Sequence, residues 1–236
     1  GSIFWGPSTL TSFVIPETVK EIGANAFQGT GITSIVIPEG VTVINGYTFY
    51  ECFDLETITF LGNITKVGYF AFGSCSSLKE ISLPAVTEIG YSAFAECTAL
   101  TSVELTDSLI TLGENTYQTC GIFENCVSLT SIYLSASLTS IPKSAFYGCE
   151  KLNGVTIPET VTKIGNNAFF GCTSLTSINI PGSVTSLGEG VFGGCSVLET
   201  IDLAVDNSGY VMIDGILFNI EQTQLIKVPL GFEGEY

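Results

Sequence analysis

Histidine and arginine are absent from these 236 residues, and methionine and tryptophan occur once each. Without an imidazole there is no Ser/His or Cys/His catalytic pair, no histidine general base and no ordinary zinc site. Without a guanidinium there is no planar, bidentate clamp for phosphate or carboxylate. Positive charge of any kind is scarce: seven basic residues, all Lys, face 23 acidic ones, for a net charge of −16. Nucleic acids and anionic membranes bind through cationic side chains, so a chain of this balance is repelled by both, and neither is an expected partner. No apolar run approaches the ~18 residues of a membrane span, so no membrane insertion of this segment is expected. Whatever chemistry is left rests on Asp, Glu, Tyr, Lys and Cys.

What the sequence has in abundance is itself. Leu152 to Ser174, LNGVTIPETVTKIGNNAFFGCTS, is followed by Leu175 to Val197, LTSINIPGSVTSLGEGVFGGCSV. Units of the same pattern start at Leu10, Ile32, Leu55, Leu78, Leu100 and Leu129, with a partial one at Leu198. Spacing is 22 or 23 residues except in the unit from Leu100, which runs to 29. The consensus is LxxIxIPxxVxxIGxxAFxxCxx, and its Phe recurs at Phe27, Phe49, Phe72, Phe94, Phe123, Phe146, Phe169 and Phe192. In the same register IFWGPSTL overlays AFxxCxxL, with Ile3, Phe4 and Pro7 at the Ala, Phe and Cys positions, so the chain is expected to start inside a repeat cut from a longer array.

Within a unit, LxxIxI alternates apolar and polar residues and reads as a short strand that Pro ends. VxxIG adds a second apolar touch and a turn, and AFxxC supplies a third wall. One unit cannot bury enough surface to offset the entropy of ordering itself. Stacked units share burial and complete each other's strand hydrogen bonds, which gives a quasi-one-dimensional solenoid.

LTSINI and LTSIYL match the LxxLxL core of the leucine-rich repeat, and the whole IPxxVxxIGxxAFxxC unit resembles its BspA-like subfamily of cell-surface proteins. The resemblance implies an α/β-type repeat: a right-handed solenoid with a parallel β-sheet on one face and about 23 residues per turn, over residues 3–203. The segment 204–236, with DNSGYVMIDGILFNIEQTQLIKVPLG, is similar to the hairpin that interrupts such arrays before repeats resume. Departures from the pattern are Thr30 for Cys, Pro142 for Gly, and six extra residues, Thr116 to Gly121, in the fifth unit.

Seven of the eight cysteines, Cys52, Cys75, Cys97, Cys126, Cys149, Cys172 and Cys195, share one repeat position. Equivalent residues on stacked coils have parallel Cβ vectors about 4.8 Å apart, too far for a disulfide, so a buried column of thiols acting as small apolar fillers is expected. No CxxC pair suggests a metal, and DNSG at Asp206 to Gly209 lacks the further spaced oxygen ligands and closing Glu of a calcium loop. No metal and no cofactor is expected. Asn63-Ile64-Thr65 is a glycosylation sequon, meaningful in a eukaryotic host.

Three surfaces are candidates for binding. Outward strand positions form columns on the sheet, and Glu80, Glu104, Tyr133, Asn179 and Asp202 carry what character there is; Tyr133 is the natural anchor, since aromatics dominate interface hot spots. An alternative patch is Tyr47, Tyr50, Tyr69, Phe70 and Tyr91, which either lie exposed together or pack on the neighbouring turn. The third is the insertion, with Tyr117 and an exposed Cys120. Glu80 and Glu104 should lie roughly 8 Å apart, within the range of an inverting glycosidase pair, yet a flat ladder gives no pocket to exclude water or raise one pKa. The reading is therefore a non-enzymatic binding module. By resemblance it is an adhesion segment of a secreted or cell-surface protein, a monomer that engages a protein or glycan on host, matrix or neighbouring cells. The rivals are a carbohydrate-active enzyme using Glu80 and Glu104, and a passive spacer.

Overall fold

A computed structural model describes residues 9–113 and 121–230. They form a solenoid of about seven turns with about 23 residues per turn, LRR-like, and no α-helix occurs among the described residues. Each turn has three walls around a single apolar core that runs the length of the stack.

The LxxIxI segments make the first wall. Ser34–Ile37 pairs in parallel with Thr57–Phe60, Glu80–Ser82 with Ser102–Glu104, Ser131–Ile132 with Gly154–Val155, and Ser177–Ile180 with Thr200–Leu203. Alternate residues are buried and exposed, as in Ser34–Ile37, because successive side chains on a strand point to opposite faces. The VxxIG segments make a second wall of two-residue parallel strands: Val43–Ile44, Lys66–Val67, Glu88–Ile89 and Thr111–Leu112 in one sheet, Ser140–Ile141, Lys163–Ile164 and Ser186–Leu187 in another. The break between these sheets falls between Leu112 and Ser140, the interval that in sequence carries the insertion.

The expectation of an α/β repeat with strands on one face needs correcting on both counts. Parallel strands occupy two walls, and the third is built of tandem turns. Two residues in most coils, one before the Ala of AFxxC and one before its Cys, adopt positive φ: Asn25 and Gly29, Tyr47 and Glu51, Phe70 and Ser74, Asn167 and Gly171. A left-handed residue every fourth position ends any right-handed helix before its second turn. The backbone bonds instead alternate: Ala71 N–H donates to Gly68 O within its coil, Phe72 N–H to Ala93 O of the next, Gly73 N–H to Phe70 O, and Ser74 N–H to Ala95 O. Every second amide thus stitches one coil to the next without being a strand.

Inside, the Phe rings form a single file with centroids 5.3–6.1 Å apart and planes within 5–12° of parallel. Phe94 and Phe123 flank the insertion at 5.4 Å, so the extra residues leave the file undisturbed. After Leu203 the chain turns antiparallel: Tyr210–Ile213, Ile216–Asn219 and Leu225–Lys227 form a meander whose first turn, Asp214-Gly215, has φ of 49° and 81°, the two positive values a tight hairpin requires. It packs on the end of the stack through buried Tyr210 and Leu217 and a bond from Leu230 N–H to Leu198 O.

Candidate functional site

Glu80, Glu104, Tyr133, Asn179 and Asp202 are all exposed on the first wall. Register places Asn179 beside Asp202, and sets Glu80 beside Ser102 and Glu104 beside Ser82, the diagonal that alternation requires. Glu104 is engaged by its neighbour, its Oε2 accepting the Ser82 hydroxyl at 2.5 Å. Tyr133 is 49% exposed, and its hydroxyl donates to Asp107 Oδ1 at 2.7 Å. The same oxygen accepts Ala136 N–H at 3.2 Å. The Tyr133 bond first, and the Ala136 amide second, hold the Asp107 carboxyl below its usual range; the same bond raises the phenol. Asp107 lies just past the strand column and was invisible to a reading by columns; its sequence signal is an Asp opening the turn after a strand. Lys79–Glu56 and Lys66–Glu88, each 2.9 Å, link adjacent coils at the surface and are individually worth little.

The aromatic patch resolves as both of its alternatives. Tyr47 stacks on Phe70 with centroids 5.2 Å apart and meets Tyr69 edge-on at 5.2 Å. Tyr69 in turn stacks on Tyr91 at 5.2 Å, and Tyr50 meets Phe70 edge-on at 5.7 Å. The rings pack on one another across three coils, yet the cluster faces outward, with Tyr69 42% exposed and the other four half-buried. Burial, followed by the neighbouring phenols, raises the Tyr47 hydroxyl; burial, then Glu51 and Glu96, raises that of Tyr50. Tyr47 and Phe70 sit at φ of 58° and 50°, a region costing a bulky side chain roughly 1–2 kcal/mol that the stacking offsets. A second outward pair, Tyr147 on Phe170 at 5.0 Å, escaped the sequence reading although both stand at the same repeat position.

Tyr117 and Cys120 of the insertion lie outside the described residues. The seven ladder thiols are free and buried, and each donates to the Phe carbonyl of the preceding coil at 3.0–3.3 Å, from Cys52 to Phe27 through Cys195 to Phe169. They are hydrogen-bonded members of the stack, a role beyond apolar filling. Burial pushes the Cys97 and Cys149 thiols up to about 12. In DNSG, Asn207 turns inward: its Nδ2 donates to Pro181 O and Val184 O at 2.9 and 3.0 Å, and its Oδ1 accepts Gly209 and Tyr210 N–H, both at 2.9 Å. Its side chain is fully used in pinning the meander.

The family described as BspA type leucine rich repeat region matches residues 2–122 and 121–229. A leucine rich repeat protein of T. pallidum, TpLRR, is 28% identical over 70% of this chain and 78% of its own, with a TM-score of 0.60. A leucine rich cell surface protein of Faecalibacterium prausnitzii is 26% identical over 76% of this chain and 65% of its own, TM-score 0.44. The pneumococcal vaccine antigen PcpA is 20% identical over 77% of this chain and 53% of its own, TM-score 0.50. No curated protein matches.

Proposed function

Because this chain belongs to the BspA type leucine-rich repeat family, we propose that it is a non-enzymatic binding module of a secreted or cell-surface protein, with residues 3–203 as the working array and 204–236 as its interruption. The surface placement rests on the family. The binding role rests on Tyr133: a half-exposed ring on an open strand face, its hydroxyl tied to Asp107 at 2.7 Å. A side chain fixed before contact has less rotamer entropy to lose on binding, and a ring so held is the kind of anchor that dominates interfaces. Glu104 stands one coil before it in the column, Asn179 and Asp202 two and three coils after it, and the partner is a protein or glycan of a host, matrix or neighbouring cell.

The carbohydrate-active alternative has weaker support. Both carboxylates are exposed on a strand face, and Glu104 already holds the Ser82 hydroxyl. A general acid needs burial to raise its pKa, and neither has it. The test immobilises the chain and measures binding to purified extracellular-matrix proteins and mucin glycans by interferometry, with hydrolysis of a polysaccharide panel assayed alongside. The expected result is a ligand whose binding Tyr133→Ala weakens about tenfold, without hydrolysis. Turnover abolished by Glu104→Gln overturns the reading, and binding indifferent to Tyr133→Ala removes the sheet face as its site.

A further inference from the structure

On the third wall, beside the aromatic cluster, a notch of about 250 Å³ opens between Tyr50, Phe70, Gly73, Ser74, Glu96 and Glu124. It exists because Gly73 stands at the repeat position where the preceding coil has Tyr50. A Cβ there would come within 3.0 Å of Tyr50 Cδ2 and 3.2 Å of Phe70 Cδ1. Two rings, edge to face at 5.7 Å, wall one side. The other side is anionic. Glu96 is exposed and accepts the Ser74 hydroxyl at 3.2 Å; Glu124 is half-buried and accepts Gly121 N–H at 2.7 Å. Burial raises the Glu124 carboxyl, the Gly121 amide opposes this, and Glu96 adds to the rise. Two carboxylates therefore bear on one another across a partly dry opening. The ion pairs among the described residues, Lys66–Glu88 and Lys79–Glu56, involve neither of them.

We propose that this notch binds a cationic side chain, Lys or Arg, presented by a partner protein. Ring faces attract cations electrostatically, and an ammonium or guanidinium donates charge-assisted hydrogen bonds to carboxylates. One guest satisfies both sides of the notch and relieves the repulsion between Glu96 and Glu124. The charge of the whole chain, −16, favours a basic partner's approach. A divalent cation is less suited: no group of three acidic or thiol ligands able to hold one occurs among the described residues. The notch lies on a different wall from Tyr133 and stands or falls separately from the sheet-face reading.

The isotope-labelled chain titrated with acetyl-Gly-Arg-Gly-amide, and with its Gly-Gln-Gly counterpart, tests the proposal by amide chemical shifts. Saturable shifts at Gly73, Ser74, Ala95 and Glu96 are expected with the Arg peptide and not with the Gln peptide. The double variant Glu96→Gln, Glu124→Gln keeps an oxygen to accept Gly121 N–H and should bind about tenfold more weakly with the spectrum of the Phe file unchanged. Tyr133→Ala should leave these shifts intact. The proposal is overturned by any of four results: equal shifts with the Gln peptide, an undiminished response in the double variant, the same shifts from calcium chloride alone, or shifts from maltotriose with none from the Arg peptide.

Discussion

At the scale of single residues, the stack is held by two files that differ greatly in strength. Phe94 is fully buried between Phe72 and Phe123 at 5.3 and 5.4 Å, so truncating it opens a cavity bounded by two rings on a rigid backbone. Cys97 is equally buried, and its thiol donates to Phe72 O at 3.0 Å, but that carbonyl also accepts Cys75 N–H at 3.0 Å. Removing the thiol therefore leaves no polar atom unsatisfied. Phe94→Ala is expected to cost about 3–5 kcal/mol and Cys97→Ala about 1 kcal/mol in urea unfolding. Equal costs would show that the thiol bonds carry more of the stack than this accounting assigns them. The Phe file was legible in the sequence because a large ring at a fixed spacing has one place to go. The thiol-to-carbonyl bonds were not, since a cysteine's spacing shows its column and not where its hydrogen points.

At the scale of elements, strict alternation made the first wall readable, whereas the second wall's strands, such as Lys66–Val67, are two residues long and too short to show a period. The third wall was misread for a different reason. Its left-handed positions are filled in some coils by Asn and Gly, which favour that region, but in others by Tyr47, Glu51, Phe70 and Ser74, which do not. Only the stacking between coils explains why those residues are held there. The same close approach of coils governs the glycine before the third wall. A Cβ on Gly68 would lie 2.4 Å from Gly46 N, so the coil itself must move to admit it. A Cβ on Gly154, on the exposed side of its strand, would meet nothing within 4 Å beyond its chain neighbours. Gly68→Ala should destabilise by about 1–3 kcal/mol, while Gly154→Ala should be neutral or stabilise by up to ~1 kcal/mol. A thermal melt of each variant separates them, and a harmless Gly68→Ala would mean the coils are not packed this closely at that corner.

At the scale of the whole molecule, repetition turns a local property into a collective one. The repeat and its end-to-end stacking were legible because nine copies agree in register; the break in the second wall was not, because the six-residue insertion leaves the Phe file intact on either side of it. The thiols carry the collective consequence. An ordinary thiol ionises near 9.0, while burial pushes Cys97 and Cys149 up to about 12 in the fold and raises the other five as well. Below pH 9 both folded and unfolded chains are protonated at these groups and stability is complete. Between 9 and 12 the unfolded chain sheds protons that the folded chain keeps, so each such thiol removes about 1.4 kcal/mol of stability per pH unit. Several thiols in one file lose stability together, and neighbour-dependent coils transmit the loss along the stack. The circular dichroism of the chain should therefore collapse over a narrow span above pH 9. Tyrosines titrate in the same window, so the decisive comparison is the slope of the unfolding free energy against pH above 9, which should be shallower in Cys97→Ala, Cys149→Ala by about 1.4 kcal/mol per pH unit for each thiol removed, whatever the variant's stability below pH 9. An unchanged slope would mean that the thiol file does not set the alkaline limit of the solenoid.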